Sequence, residues 1–193
     1  MCLDLSYFLF LLKLSYRAES LISVSIKSTM IIEGKHMQTE IINYILKNKE
    51  KHYRMAYSYV KNKEDALDIV QDTIVKALKY QDSLKNKAYL NTWFYKILIN
   101  TCKTHLQKQN RYIDMENTYL ESHEAPIYDH YQSFDLEEAL DQLSYNEKTI
   151  ILLRYFNDLE LKEISATLGQ NLSTVKSTLY RTLKKLKLLL EKE

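Results

Sequence analysis

The chain has 193 residues, 46% of them apolar and 27% charged, which suits one or two small domains with real cores. Two glycines and one proline supply few tight turns, and many Leu, Lys, Glu and Ile residues favour helix, so the expected fold class is all-α. The net charge of +2 conceals a segregation: residues 161–193 hold seven Lys/Arg against three acids, whereas residues 112–138 hold eight acids and no Lys or Arg. Two cysteines, Cys2 and Cys102, exclude a disulfide scaffold and fit a reducing cytoplasm, and the Cys102/His105 pair is too small a set for a metal site.

Residues 1–36 form an N-terminal extension. Their apolar run begins with Asp4, is interrupted by Lys13 and is short for a membrane span. Helical patterning starts only after Met37, which suggests that translation begins there or at Met30 rather than at Met1. Glu33-Gly34 just upstream can be encoded as a purine-rich stretch of the kind that precedes bacterial start codons.

A first domain is expected over residues 37–111. Residues 38–60 carry Ile41, Ile42, Ile45, Tyr53, Met55, Ala56 and Val60 at the spacing of one or two amphipathic helices. Asn62 can cap a further helix whose inward face is Ala66, Ile69, Val70, Thr73, Ile74, Ala77 and Leu78 and whose early turns are acidic. A polar loop over residues 81–86 precedes a long helix from about residue 87 to 109, with Leu90, Trp93, Phe94, Ile97, Leu98 and Cys102 as core and helical order ending near Arg111. Residues 112–134, acidic, Tyr-rich and holding the only proline, Pro126, read as an extended linker. A second domain follows over residues 135–193. It breaks at Ser144, where Ser144 and Glu147 form a capping-box signature.

The most informative segment is DLELKEISATLGQNLSTVKSTLYRTLKKLKLLL, residues 158–190. Leu161, Ile164 and Leu168 recur at helical spacing, Gly169 can supply a positive-φ turn, and Asn171 can cap a second helix with Leu172, Val175, Leu179, Leu183 and Leu186 on one face. The other face carries Thr174, Lys176, Ser177, Tyr180, Arg181, Lys184 and Lys185. Short polar and cationic groups near a helix start, followed by further cations, suit base edges and then phosphates in a DNA major groove.

Two other polar faces stand out. Asp65, Asp68, Gln71 and Asp72 share one side of their helix, a surface suited to a basic partner. Tyr95, Lys96, Asn100, Lys103 and Thr104 form a stripe of aromatic, amide and cationic groups of the kind that stack on unpaired bases and bond their edges. No glycine-rich phosphate loop, paired catalytic carboxylates or nucleophile with its base can be picked out, so neither enzymatic activity nor a cofactor is expected.

Three blocks in order, EDALDIVQDTIVKALKY, YLNTWFYKILINTCKTHLQK and LSYNEKTIILLRYFNDLELKEISATLGQNLSTVKSTLYRTLKKLK, resemble the bacterial sigma-70 family, specifically its small two-domain extracytoplasmic-function group, over residues 38–192. The resemblance implies a sigma region 2-like domain and a sigma region 4-like helix-turn-helix domain. It implies a factor that binds core RNA polymerase, recognises minus-35 and minus-10 promoter elements and promotes DNA melting. It implies that Asp65, Asp68, Gln71 and Asp72 dock on the polymerase clamp, and that Asn100 helps hold a flipped minus-10 base in a pocket closed by the loop over residues 81–86. Lys176, Ser177, Tyr180 and Arg181 would read the minus-35 element, and the acidic linker would thread towards the polymerase active-site channel. An anti-sigma factor is implied as a further partner. The chain departs from the family pattern at Gln170, usually aliphatic, at Glu160, often a Ser or Thr cap, and at Thr178, often Arg. The alternative to a sigma factor is a stand-alone helix-turn-helix transcriptional regulator, which leaves the Asn100 stripe and the acidic linker without a task.

Overall fold

The computed structural model describes residues 36–116 and 134–191, all helices and turns, with no strand among the described residues. The extension before residue 36, with the question of a late start, and residues 117–133 of the expected linker lie outside the described residues. The chain divides into two compact units, residues 1–105 and 106–193.

In the first unit, residues 38–60 resolve into two helices, α1 (His36–Lys47) and α2 (Lys49–Val60). They part at Asn48, whose side-chain amide donates back to the Tyr44 carbonyl at 2.9 Å. Such a bond offers the backbone an alternative to continued helix. Helix α2 ends on Lys61 in a left-handed conformation, φ 54°. Asn62 then caps α3 (Lys63–Lys79), its side-chain oxygen accepting from the backbone N–H groups of Glu64 at 2.8 Å and Asp65 at 3.2 Å. The expected inward face of α3, from Ala66 to Leu78, is buried throughout.

The loop after α3 is more ordered than its polar composition suggests. Two 3-10 turns, Gln81–Ser83 and Lys87–Tyr89, flank the buried Leu84. Asn86 accepts from the Ala88 N–H at 2.8 Å, so the long helix α4 begins at Leu90, three residues later than expected. It also runs to Glu116, past the expected end near Arg111, because residues 112–116 contain neither Gly nor Pro to stop it. Phe94 and Leu98 of α4 join Ile41, Ile45, Met55, Ala56, Ile69 and Ile74 in the core.

Beyond the end of α4, which crosses the division at residue 105, the second unit comprises α5 (Phe134–Asp141), α6 (Tyr145–Ile151), a π-helical turn (Leu152–Phe156), α7 (Leu161–Leu168) and α8 (Leu172–Leu190). The break at Ser144 is the capping box its sequence announces: Glu147 accepts from the Ser144 N–H at 3.0 Å while Ser144 Oγ faces the Glu147 N–H at 3.4 Å. The backbone bond from Ser144 is the main reason the Glu147 carboxyl sits below the usual carboxylate range, and nearby Lys185 and Arg181 add to it. Lys148 is buried yet paired, its ammonium 2.6 Å from Asp141. The π turn was not expected. Buried Asn157 closes it, with both its backbone N–H (3.1 Å) and its side-chain amide (2.9 Å) donating to the Leu152 carbonyl, before Asp158 reverses the chain at φ 57°.

Candidate nucleic-acid interface

The helix-turn-helix is built on Gly169, which ends α7 at φ 65° with its N–H donating to the Ser165 carbonyl. A Cβ there would meet nothing within 4 Å, so the backbone angle, not crowding, calls for glycine. Gln170 continues the reversal, its N–H donating to the Ser165 carbonyl at 3.1 Å and its own carbonyl accepting from Ser165 Oγ at 2.6 Å. The Gln170 amide reaches further and donates to Asn146 Oδ1 at 2.8 Å, tying the turn to the start of α6. At the other end of α7, Glu163 accepts from the Glu160 N–H at 2.7 Å. The Gln170 side chain therefore takes on a structural role, whereas the bond at Glu160 uses only its backbone. Asn171 stands at the cap position of α8, but contrary to expectation its side chain makes no capping bond.

Helix α8 divides cleanly. Val175, Leu179 and Leu186 are buried, joined by Thr178 and Thr182, whose hydroxyl donates to the Thr178 carbonyl at 2.8 Å. Thr178 thus faces the core, and its exchange for a frequent Arg does not alter the outer face. Thr174, Lys176, Ser177, Tyr180, Arg181 and Lys184 are all exposed, Tyr180 by 66%. Lys185 leaves this face: its ammonium donates to the Gln142 carbonyl at 2.9 Å and lies 3.7 Å from Glu147, bracing α8 against the loop before α6.

In the first unit the stripe on α4 is only partly as expected. Lys96, Asn100, Lys103 and Thr104 are exposed, with Thr104 Oγ1 returning a bond to the Asn100 carbonyl at 2.9 Å. Tyr95 is not on it. The ring is 1% exposed and meets His52 edge to face at a centroid distance of 5.6 Å. Position 95 falls between the outward positions 96 and 100 and the core positions 94 and 98, and a large aromatic ring there gains more from burial than from water. Trp93, expected in the core, is half-buried, and its indole N–H donates to Ser83 Oγ at 3.0 Å. Tyr89, not among the expected site residues, is 63% exposed at the end of the second 3-10 turn. Its signal was spacing: positions 89, 93, 96, 100 and 103 follow one another at three and four residues.

Behind this face lies a closed aromatic cluster. Tyr44 donates to Asn91 Oδ1 at 2.6 Å, His52 Nε2 lies 3.5 Å from the Tyr44 hydroxyl, and the His52 ring lies tilted against Phe94 at a centroid distance of 4.3 Å. His52 Nδ1 is buried without a hydrogen-bond partner, and burial lowers the pKa of the ring to about 3. Burial likewise raises the Tyr44 phenol well above its ordinary range and pushes the Cys102 thiol up to about 12.

On α3, Asp68 and Asp72 are exposed and Gln71 and Asp65 are half-buried. Asp65 turns towards α4, its Oδ1 3.6 Å from His105 Nε2. The four share a helix side, but Asp65 also belongs to the contact between α3 and α4.

Family comparisons agree with this geometry. The family model described as Sigma-70 region 2 matches residues 44–112, spanning most of α1 to α4, and Sigma-70, region 4 matches residues 133–186, spanning α5 to most of α8. The chain is 46% identical over 153 residues to "RNA polymerase sigma factor SigV" of Bacillus subtilis, a match covering 79% of this chain and 92% of that one. The chain belongs to the sigma-70 family. Within it the sigma factor falls in the extracytoplasmic-function group, and it is 27% identical over 150 residues to "ECF RNA polymerase sigma factor SigW" of Bacillus subtilis, covering 69% of this chain and 79% of that one. Among solved structures it is similar to the sigma factor RpoE of Bartonella quintana, determined in complex with the anti-sigma factor NepR, with a TM-score of 0.65 and 26% identity over 78% of this chain and 96% of that one. It is therefore an RNA polymerase sigma factor, and the stand-alone regulator is not favoured.

Proposed function

We propose that this sigma factor divides promoter recognition between its units. Thr174, Lys176, Ser177, Tyr180, Arg181 and Lys184 read duplex minus-35 DNA, and Lys96, Asn100, Lys103 and Thr104 engage the opened minus-10 strand. Asp65, Asp68, Gln71 and Asp72 dock on the polymerase clamp. The working domains are residues 37–111 and 135–193, with 112–134 as the linker. The factor works in the cytoplasm without enzymatic activity of its own, and an anti-sigma factor holds it in check. Among the described residues no helix is long and apolar enough to cross a membrane.

The observation that carries this reading is the outer face of α8: six polar side chains exposed opposite a buried apolar seam, directly after the Gly169 turn. Cations on such a face meet phosphates, and short polar groups meet base edges. The test is copurification of the full chain with core polymerase, followed by transcription from genomic fragments with and without it. New start sites that depend on the chain are expected, with weak duplex binding by the free protein. Tight sequence-specific duplex binding by the free chain, with no further gain from polymerase, would overturn this division of promoter recognition.

A further inference from the structure

The first turn of α6 meets the helix-turn-helix twice. Asn146 Oδ1 accepts from the Gln170 amide at 2.8 Å and holds the turn that leads into α8. One residue on, the Glu147 carboxylate lies 3.7 Å from the Lys185 ammonium, against the body of α8. This carboxylate is itself fixed: the Ser144 N–H and Oγ both donate to its Oε2, at 3.0 and 2.9 Å, and the side chain is only 15% exposed. Among the described residues no hydrogen bond reaches its Oε1. Arg181 stands one helical turn before Lys185, on the same side of α8 and about 6 Å along the axis. It is exposed, and its charge adds to the pull that keeps the Glu147 carboxyl below the usual carboxylate range.

The two cations meet this carboxylate differently. Lys185 is drawn inward and donates to the Gln142 carbonyl at 2.9 Å, whereas Arg181 stays in the outer face with Ser177 and Lys184. We infer that Glu147 is a positioning residue for promoter recognition, orienting the Arg181 guanidinium towards base edges and away from indiscriminate phosphate contact. Two effects of opposite sign follow for DNA. A carboxylate at the edge of a cationic face repels phosphates of any sequence. A side chain already held in one direction, however, loses less rotamer freedom on meeting its base. The first effect weakens every complex, and the second restores only the one whose base edge matches the planar fork. Discrimination therefore rises with no contact between Glu147 and DNA. A glutamine at position 147 keeps the cap, because its amide oxygen still accepts from the Ser144 N–H, and removes the charge alone.

The inference rests on the proposed duplex-reading face of α8, and the experiment keeps the two apart. Holoenzyme assembled from core polymerase and the full chain is assayed for transcript yield at limiting concentration. The templates are one of its promoters and a panel with single base-pair changes across the minus-35 element. Glu147→Gln is expected to raise the yield of the altered templates relative to the native one by about threefold, the scale of a partly exposed charge pair, with the melting temperature of the free chain unchanged. In an Arg181→Lys background, which keeps the charge and loses the fork, the same substitution is expected to move all templates alike. A uniform rise in the parent background would reduce Glu147 to bulk charge, and a uniform fall with a lower melting temperature would reduce it to the α6 cap. Either result overturns the positioning role, as does an unaltered panel or a selective gain that persists with Arg181→Lys. If such a result accompanies loss of transcription in Lys176→Ala with Arg181→Ala, the positioning role alone fails. If that double substitution is silent too, the duplex-reading face of α8 fails with it.

Discussion

Helices α4 and α8 both present polar side chains to one side and apolar ones to the other, yet they divide their residues by different rules. Helix α8 covers its unit along one narrow seam, so its buried positions fall on a simple helical stripe and the six residues from Thr174 to Lys184 expected to face DNA are all exposed. Helix α4 packs against α1, α2 and α3 through Phe94, Tyr95, Leu98, Thr101 and Cys102, and its buried sector is correspondingly broad. A broad sector takes in residues with polar tips, such as Tyr95. A hydroxyl on an aromatic ring is therefore a poor guide to exposure on a helix with several neighbours.

The largest effect expected from this contrast comes at Tyr95. Tyr95→Ala removes a ring from a closed cluster and is expected to destabilise the first unit by about 3 to 5 kcal/mol, whereas Tyr95→Phe leaves strand binding unchanged. Thermal melts with single-strand titrations decide it, and weakened binding in a stably folded Tyr95→Phe would return the residue to the DNA face. Replacing Lys176 and Arg181 together by Ala touches no buried residue. The double substitution is expected to abolish promoter-directed transcription, each base-edge interaction it removes costing about 1 to 3 kcal/mol, while polymerase binding and melting temperature hold. Normal transcription from the native promoter would undo the contrast.

His52 gives the smallest and most specific effect. Its folded pKa, about 3, lies below the ordinary histidine value of 6.5, so the unfolded chain binds the extra proton between those values. Stability is thus fully present above pH 6.5 and falls as pH drops towards 3. The groups facing the ring are Tyr44, Phe94 and Tyr95, none of which offers a negative charge at these pH values. Between pH 7.5 and 5.5 the loss is expected to be about 1.4 kcal/mol, read by urea melts, and absent in His52→Gln. An unchanged slope in His52→Gln would assign the acid sensitivity elsewhere.

The helical architecture, the cap at Asn62, the capping box at Ser144, the turn at Gly169 and the outer face of α8 were legible because each depends on neighbours within a few residues. Contacts between distant segments were not. Lys185 looks like one more cation of a basic run until the Gln142 carbonyl is placed beside it, and Gln170 looks like a plain substitution until Asn146 is. Trp93 shows the same limit: the hydroxyl that holds it outward belongs to Ser83, in a loop whose polar composition suggested no order. The π turn at Leu152–Phe156 follows from one buried amide, Asn157, serving a carbonyl five residues back, a choice no periodicity announces.

Cys102 gives the first unit a clock of its own. The side chain is fully buried on α4 and its thiol, pushed up to about 12, is almost never a thiolate at neutral pH, so it is chemically silent while the helix stays docked. In a Cys2→Ser background, alkylation of the native protein then proceeds only through opening around Cys102, and where reclosing outpaces alkylation its rate reports the free energy of that opening. A ligand that closes over α4 will slow the clock, and one that grips α8 alone will leave it running.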